Sequence, residues 1–486
     1  MKELWFFMKL SKIFFLSLFL LFFQTTRATE LKDLINQYNV LHDVIFCFDN
    51  FEKDIFNFIQ NKKNKMLESS KWFNGSVPLT DWFDDFSSLQ ADGNSGVTNK
   101  FLPYTQKLII EPDTRVVFFG DLHGDLDSFM ECFEETKNLG LLDENYKIPE
   151  KVYFIFLGDY VARGEQGLEI LSLLVKFHNQ NPGRVFLLRG NHEVLRYSEL
   201  EKRLEVSPYV KIDSYNYVLK ENPCIDILLR RFWLTHCWFD FFPLAIYLGC
   251  KDSSGITNFI QCCHAGIEVG YNPKDFLNDD YVQFQMVTEL NRETALRDEN
   301  LAVQMERTNL FALKENPEHE QNKHLVENLN QEDIRRIGFN GLGFLWNDFL
   351  NGTYEDEKGE MREFRGIYFD SVRCALAFSN DVTEYYFKKN SSENKILHGC
   401  IRGHQHGPPM GYEIAENDGC LKLWGGLVYT LISSFWSASY KQIDLKSFMV
   451  LKTANDISEW KIDHYYSSAG EKQFHQKTFN YLDNKF

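Results

Sequence analysis

The feature that most limits what this chain can fold into is a repeated order: a short polar motif behind each of several apolar runs. Gly120-Asp121-Leu122-His123-Gly124 follows Val116-Val117-Phe118-Phe119. Gly158-Asp159 follows Val152-Tyr153-Phe154-Ile155-Phe156-Leu157, and Gly190-Asn191-His192-Glu193 follows Val185-Phe186-Leu187-Leu188. His264 comes behind Phe259-Ile260 and two cysteines, and His404 behind Ile401-Arg402-Gly403. Such runs read as buried strands, so their polar successors are loops at strand ends, where α/β sheets build their sites. Carboxylate, amide and imidazole ligands suit divalent ions of intermediate hardness, whereas a structural zinc site favours thiolates. The expectation is a dinuclear metal centre.

At 486 residues and 44% hydrophobic content the chain can bury a large core, in one large domain or two ordinary ones. Its formal charge of −17 would repel a nucleic-acid backbone, which argues against that class of partner. Neither a Walker-type lysine loop nor a dinucleotide fingerprint is present, so nucleoside-triphosphate and nicotinamide chemistry lack support. Lys9 and Lys12, the apolar run Ile13 to Phe23 and Thr26-Arg27-Ala28 have the order of a signal peptide, here residues 1–28. The run is short for a membrane span, so the expectation is an exported chain with no span after cleavage; an uncleaved anchor is the alternative. Ten cysteines include no Cys-x-x-Cys pair, and several lie inside apolar runs, as core thiols do.

Leu31, Leu34, Ile35, Tyr38 and Leu41 recur at helical spacing, which predicts an amphipathic segment within 29–106, followed by a loop over 87–99. The catalytic domain is expected over 107–455, with helices Leu126–Lys137 and Gly167–His178 alternating with strands. Two charged stretches, 194–235 and 280–337, read as helical insertions, and 456–486 as a tail of unassigned role.

Two ions held close together clamp a phosphoryl group and lower the pKa of a water between them, and a carboxylate is the best bridge. Asp159 is the candidate bridge. Asp121 and His123 would complete one metal, and Asn191, His264 and His404 the other. His192, beside Asn191, is placed to protonate a leaving alkoxide. Arg163 is a candidate phosphate clamp, because a guanidinium binds two phosphoryl oxygens at once. Arg189 and Arg402 read equally well as structural ion-pair residues.

Taken together, Gly120–Gly124, Gly158-Asp159-Tyr160-Val161-Ala162-Arg163-Gly164 and Leu188-Arg189-Gly190-Asn191-His192-Glu193 resemble the signature of the phosphoprotein phosphatase family of calcineurin-like metallophosphoesterases. Cys263-His264-Ala265-Gly266, Leu345-Trp346-Asn347-Asp348 and Arg402-Gly403-His404-Gln405 are similar to the family's later motifs, in order. The resemblance covers roughly 107–452 and implies an α/β (α+β) fold with a central β-sandwich flanked by helices. It implies the same ligand set, with His192 as general acid, and adds Arg365 to Arg163 as phosphate-binding residues. It further implies attack by a metal-bound hydroxide on phosphomonoesters of proteins, serine or threonine ahead of tyrosine. Manganese, iron and zinc all suit these ligands.

One departure bears on mechanism. Most protein phosphatases of the family carry an aspartate at the position of Ala162, where it orients the general-acid histidine, and a methyl group accepts no hydrogen bond. Val161-Ala162-Arg163-Gly164 and His264-Ala265-Gly266 are closer to bacterial dinucleoside tetraphosphatases, so dinucleoside polyphosphate hydrolysis is a second reading. A scaffold protein with little turnover is a third; the complete ligand set opposes it.

Overall fold

The computed structural model describes residues 31–41, 48–77, 103–193, 195–198, 203–206, 235, 238–287, 290, 343–355, 361–370, 375–405, 410–434, 445–468, 471 and 473–482. The proposed signal segment, the 87–99 loop and most of both insertions lie outside them. Among the described residues no helix is long and apolar enough to cross a membrane.

Thirteen of the strands build two sheets. In chain order they are β1 (Tyr104–Ile110), β2 (Arg115–Phe119), β3 (Val152–Phe156), β4 (Val185–Leu187), β5 (Ala245–Lys251), β6 (Thr257–Cys263), β7 (Phe284–Met286), β8 (Lys395–Arg402), β9 (Cys420–Leu423), β10 (Val428–Leu431), β11 (Leu445–Lys452), β12 (Lys461–Ser468) and β13 (His475–Asn480). One sheet has seven strands in the order β9-β10-β8-β6-β5-β1-β7, and the other has six in the order β13-β12-β11-β2-β3-β4.

The period-2 alternation of strands accounts for the layers. On β2, Val116 and Phe118 join an apolar cluster shared with Ile246, Leu248 and Ile260 of the other sheet. Val117 and Phe119 face the opposite way, toward helices α1 (Leu31–Leu41), α2 (Phe48–Met66), α3 (Leu126–Asn138) and α4 (Gly167–Gln180). The seven-stranded sheet does the same: Ile260 and Cys262 turn inward, while Phe259 and Cys263 pack with α5 (Asn380–Lys389) and α6 (Met410–Glu416). The result is a β-sandwich with helices on both outer faces, and strands buried on both sides read as near-continuous apolar runs. Cys132, Cys250, Cys262, Cys263, Cys400 and Cys420 are free and buried, as core thiols.

Three expectations need correction. Residues 195–198 and 203–206, assigned to a helical insertion, form a small antiparallel hairpin. Phe284–Met286, inside the second proposed insertion, is strand β7 at the edge of the seven-stranded sheet, paired to β1. The tail set apart at 456 contributes β12 and β13, which extend the six-stranded sheet beyond β11. Lys461–Ser468 is mostly polar, with Ile462, Tyr465 and Tyr466 its apolar members, and its strand character comes from eight register pairs with β11.

Candidate metal centre

Five motif loops meet because five strands end at one rim. β2, β3 and β4 are parallel neighbours in one sheet, and β6 and β8 are parallel neighbours in the other. The loops also bind each other: Leu122 and His123 donate their backbone N–H groups to Asp159 O at 3.0 and 2.8 Å. Gly403 N donates to His264 O at 2.9 Å. Asp125 then caps α3, its carboxylate accepting from Ser128 N at 3.0 Å, so the first motif runs directly into a helix.

The close approach of these loops explains two glycines. A Cβ on Gly190 would overlap Asp159 N and Oδ1, and one on Gly403 would overlap Asp121 Oδ1. His123, Asp159, Ala162, Arg163 and His404 all adopt positive φ, a conformation that side-chain-bearing residues avoid unless the surroundings impose it.

Around Asp159 the geometry is convergent. Its Oδ2 is buried and accepts no well-formed hydrogen bond, yet three imidazole nitrogens surround it. His264 Nε2 lies at 3.2 Å, His123 Nε2 at 3.5 Å and His192 Nε2 at 3.7 Å. Two sets of three ligand atoms, each mutually within 4.8 Å, share this residue: Asp159 with His123 and His192, and Asp159 with His264 and His404. Asn191 Oδ1 stands 2.8 Å from both His264 Nε2 and His404 Nδ1. Asp121 Oδ2 is 3.7 Å from His123 Nε2, and its Oδ1 accepts from His404 N at 2.9 Å. All six proposed ligands are thus in one buried cluster, with donors that fit two divalent ions sharing a carboxylate. The outer ring nitrogens are oriented as ligating imidazoles usually are: His123 Nδ1 lies 3.2 Å from Val161 O and His264 Nδ1 3.0 Å from Leu157 O.

Burial alone would raise the Asp159 carboxyl, but His264, His192 and His123 hold it well below the usual range. His264 is pushed up to about 9: burial opposes its charge, and Asp159 and Asp121 outweigh burial. His192 is drawn down to about 4, chiefly by burial, with Asp159 opposing and the Arg163 cation adding to the drop. Arg163 is therefore within electrostatic reach of the centre, as a phosphate clamp must be. His192 Nδ1 is buried with no hydrogen-bond partner among the described residues, and position 162, where the family resemblance leads one to expect an aspartate, holds a buried alanine.

Arg365 is exposed on the turn between strands Met361–Glu363 and Ile367–Asp370. The turn is tied to the start of α5 through Gly366 N to Asp381 Oδ1 at 3.2 Å and Ser379 Oγ to Gly366 O at 2.8 Å. Arg189 and Arg402 resolve toward the structural side. Arg189 Nη1 pairs with Asp240 Oδ1 at 2.7 Å. Arg402 is fully buried and donates to Thr430 Oγ1, Ala265 O and Gln405 Oε1.

Two residues near the centre carried no assignment from sequence. Glu193 is fully buried and accepts from Asp159 N at 2.8 Å, Gly190 N at 2.8 Å and Tyr160 N at 2.9 Å, so it clamps the second and third loops together. Its position directly after His192 was the available signal. Asp348 lies 3.7 Å from both Arg402 Nη1 and His404 Nε2, and links the Trp346-Asn347-Asp348 motif to a proposed ligand.

Among known proteins, the catalytic subunit of serine/threonine-protein phosphatase 4 from Saccharomyces cerevisiae is 27% identical over 165 residues, 33% of this chain and 41% of that protein. The same subunit from Eremothecium gossypii is 38% identical over 88 residues, 18% of this chain and 25% of that protein. The chain therefore matches less than half the length of these curated relatives. A solved serine/threonine phosphatase from Saccharomyces cerevisiae aligns at TM-score 0.41 and 15% identity, covering 93% of this chain and 97% of that one. The family model of calcineurin-like phosphoesterases matches residues 114–408, a span that contains all six proposed ligands. With that match across more than half of its length, the chain belongs to the calcineurin-like phosphoesterase family.

Proposed function

We propose that the chain hydrolyses phosphomonoesters on proteins, serine or threonine ahead of tyrosine, at a dinuclear metal centre. The observation that carries this reading is the shared carboxylate: Asp159 Oδ2, buried and short of hydrogen bonds, within 3.7 Å of three imidazole nitrogens. The serine/threonine preference rests on the likeness to catalytic subunits of serine/threonine-protein phosphatase 4.

In this reading Asp121, His123 and Asp159 hold one ion, and Asp159, Asn191, His264 and His404 the other. Manganese, iron and zinc are the candidates. Such ions supply charge to phosphoryl oxygens and lower the pKa of a water between them. The protein supplies the rest. Arg163 binds phosphoryl oxygens and orients the ester. His192 Nε2 faces the centre and delivers a proton to the leaving oxygen; at about 4 the ring is neutral until a phosphoryl dianion beside it raises its affinity for a proton. Glu193 fixes the Asp159 and Gly190 backbones, which sets the distance between the second and third motif loops. We extend the proposal to export through residues 1–28, on the signal-like order of that segment.

Dinucleoside polyphosphate hydrolysis keeps one observation in its favour, the unpartnered His192 Nδ1 in a chain with alanine at position 162. A phosphopeptide panel and diadenosine tetraphosphate, assayed side by side with added manganese and an Asp159→Asn control, separate the two. Phosphopeptide turnover lost in the control supports the proposal. Turnover of the dinucleotide alone overturns it in favour of the second reading.

A further inference from the structure

A pocket of about 360 Å3 lies between α2, the end of α4, β1 and the segment leading into β7, and none of its lining residues belongs to the metal centre. In a chain of net charge −17 its lining is basic: Lys62, Lys65, Lys107 and His178 against one carboxylate, Asp280. Asp280 is already bound to Lys395. Lys107 is held by the carbonyls of Phe276 and Asp279. The ammonium of Lys62 has three donors and one described acceptor, Gln106 Oε1 at 3.2 Å. Burial and the adjacent Lys65 pull Lys62 down to about 7, and the same two lysines add to the burial that keeps His178 neutral. Cations gathered this way beside a single carboxylate that is itself paired to Lys395 are costly unless an anion joins them.

The rim has a second character. Tyr281 is 85% exposed and Ile109 50% exposed, among the few large apolar side chains so exposed in the described residues, and both line this pocket. A lone exposed apolar residue is ordinary, but two beside a basic cavity form a recognisable surface. Its volume falls in the range of small-molecule sites.

We propose that this pocket binds a small amphiphilic anion, with a phosphate- or carboxylate-like group on Lys62 and Lys65 and an apolar or aromatic portion against Tyr281 and Ile109. The proposal does not depend on the reaction at the metal centre.

Phenylphosphonate carries both portions and has no ester bond to hydrolyse. Calorimetric titration into the full chain, together with hydrogen exchange over 104–110 and 280–286, is the test. The expected result is slowed exchange in both segments and a binding event that survives Asp159→Asn. Lys62→Gln with Lys65→Gln weakens that event ten-fold or more, and Lys65→Gln alone, at an exposed position, weakens it several-fold. Methylphosphonate, which lacks the ring, binds more weakly and is indifferent to Tyr281→Ala. Binding that disappears with Asp159→Asn, or that is unchanged in both lysine variants, would assign the ligand to the metal centre and overturn the proposal.

Discussion

Two buried polar clusters stand side by side in this molecule, and they are built on opposite terms. Around Arg402 the guanidinium is satisfied by acceptors of the chain itself, Thr430 Oγ1, Ala265 O and Gln405 Oε1. Around Asp159 the cluster is open: Oδ2 accepts no well-formed hydrogen bond, while imidazoles press toward it at 3.2 to 3.7 Å. Buried polar groups are normally satisfied, so a cluster left open at the meeting point of five strand ends is arranged for something the chain does not itself provide. The cluster around Arg402 holds the rim in shape, and the open one receives ligands.

That contrast is sharpest in stability. Arg402→Met removes the buried guanidinium beside Asp348 and should cost roughly 3–5 kcal/mol by urea unfolding, the range for losing one partner of a buried ion pair. Asp159→Asn in chelator-treated protein should cost less, because the amide keeps the contact with His192 N and His264 can shed the proton that the Asp159 carboxylate holds on it. Equal losses in the two variants would break the distinction.

A second prediction concerns Ala162. Its φ of 78° is one that aspartate tolerates better than most residues, and Ala162→Asp would give His192 Nδ1 the acceptor it lacks. Phosphopeptide kcat should rise by roughly ten-fold, a part of the 10²–10⁴-fold that a well-oriented general acid contributes. The pH–rate profile should shift upward with it, since a carboxylate beside the ring favours its protonated form. A stable variant with neither change would remove His192 from the proton-transfer role.

The smallest effect lies away from both clusters. Burial depresses His178 to about 3 and His398 and His464 to about 4, from an ordinary 6.5. The unfolded chain takes up protons on these rings as pH falls below about 6.5, while the folded chain keeps them neutral until about 4. Stability is therefore intact above pH 6.5 and declines through that window. His464→Gln should flatten the urea midpoint measured from pH 7.5 to 4.5, and an unaltered slope would exclude His464 as a contributor.

Much of this centre was legible from sequence because strand ends are local. An apolar run followed by Gly-Asp or Gly-Asn needs no partner to be read, and the six proposed ligands did fall into one cluster. Helices α3 and α4 were equally plain, from their 3.6-residue period. Other features depend on partners far along the chain. Glu193 looks like any loop carboxylate until Asp159, Tyr160 and Gly190 are brought to it. Arg402 reads as ligand or scaffold until Thr430 and Ala265 are in place. Strand β7 has three residues, too few for a period, and β12 and β13 exist because β11 offers an edge. Arg365 was read from motif likeness alone, and the turn that carries it is anchored on the start of α5.

The most direct test of the central claim is metal content per chain by elemental analysis, on the wild-type protein and the Asp159→Asn variant after equilibration with manganese and desalting. A carboxylate shared between two ions predicts two equivalents in the wild type and the loss of at least one, with phosphopeptide turnover, in the variant. Two equivalents retained in an active Asp159→Asn protein would contradict the bridging role of Asp159 and the account built on it.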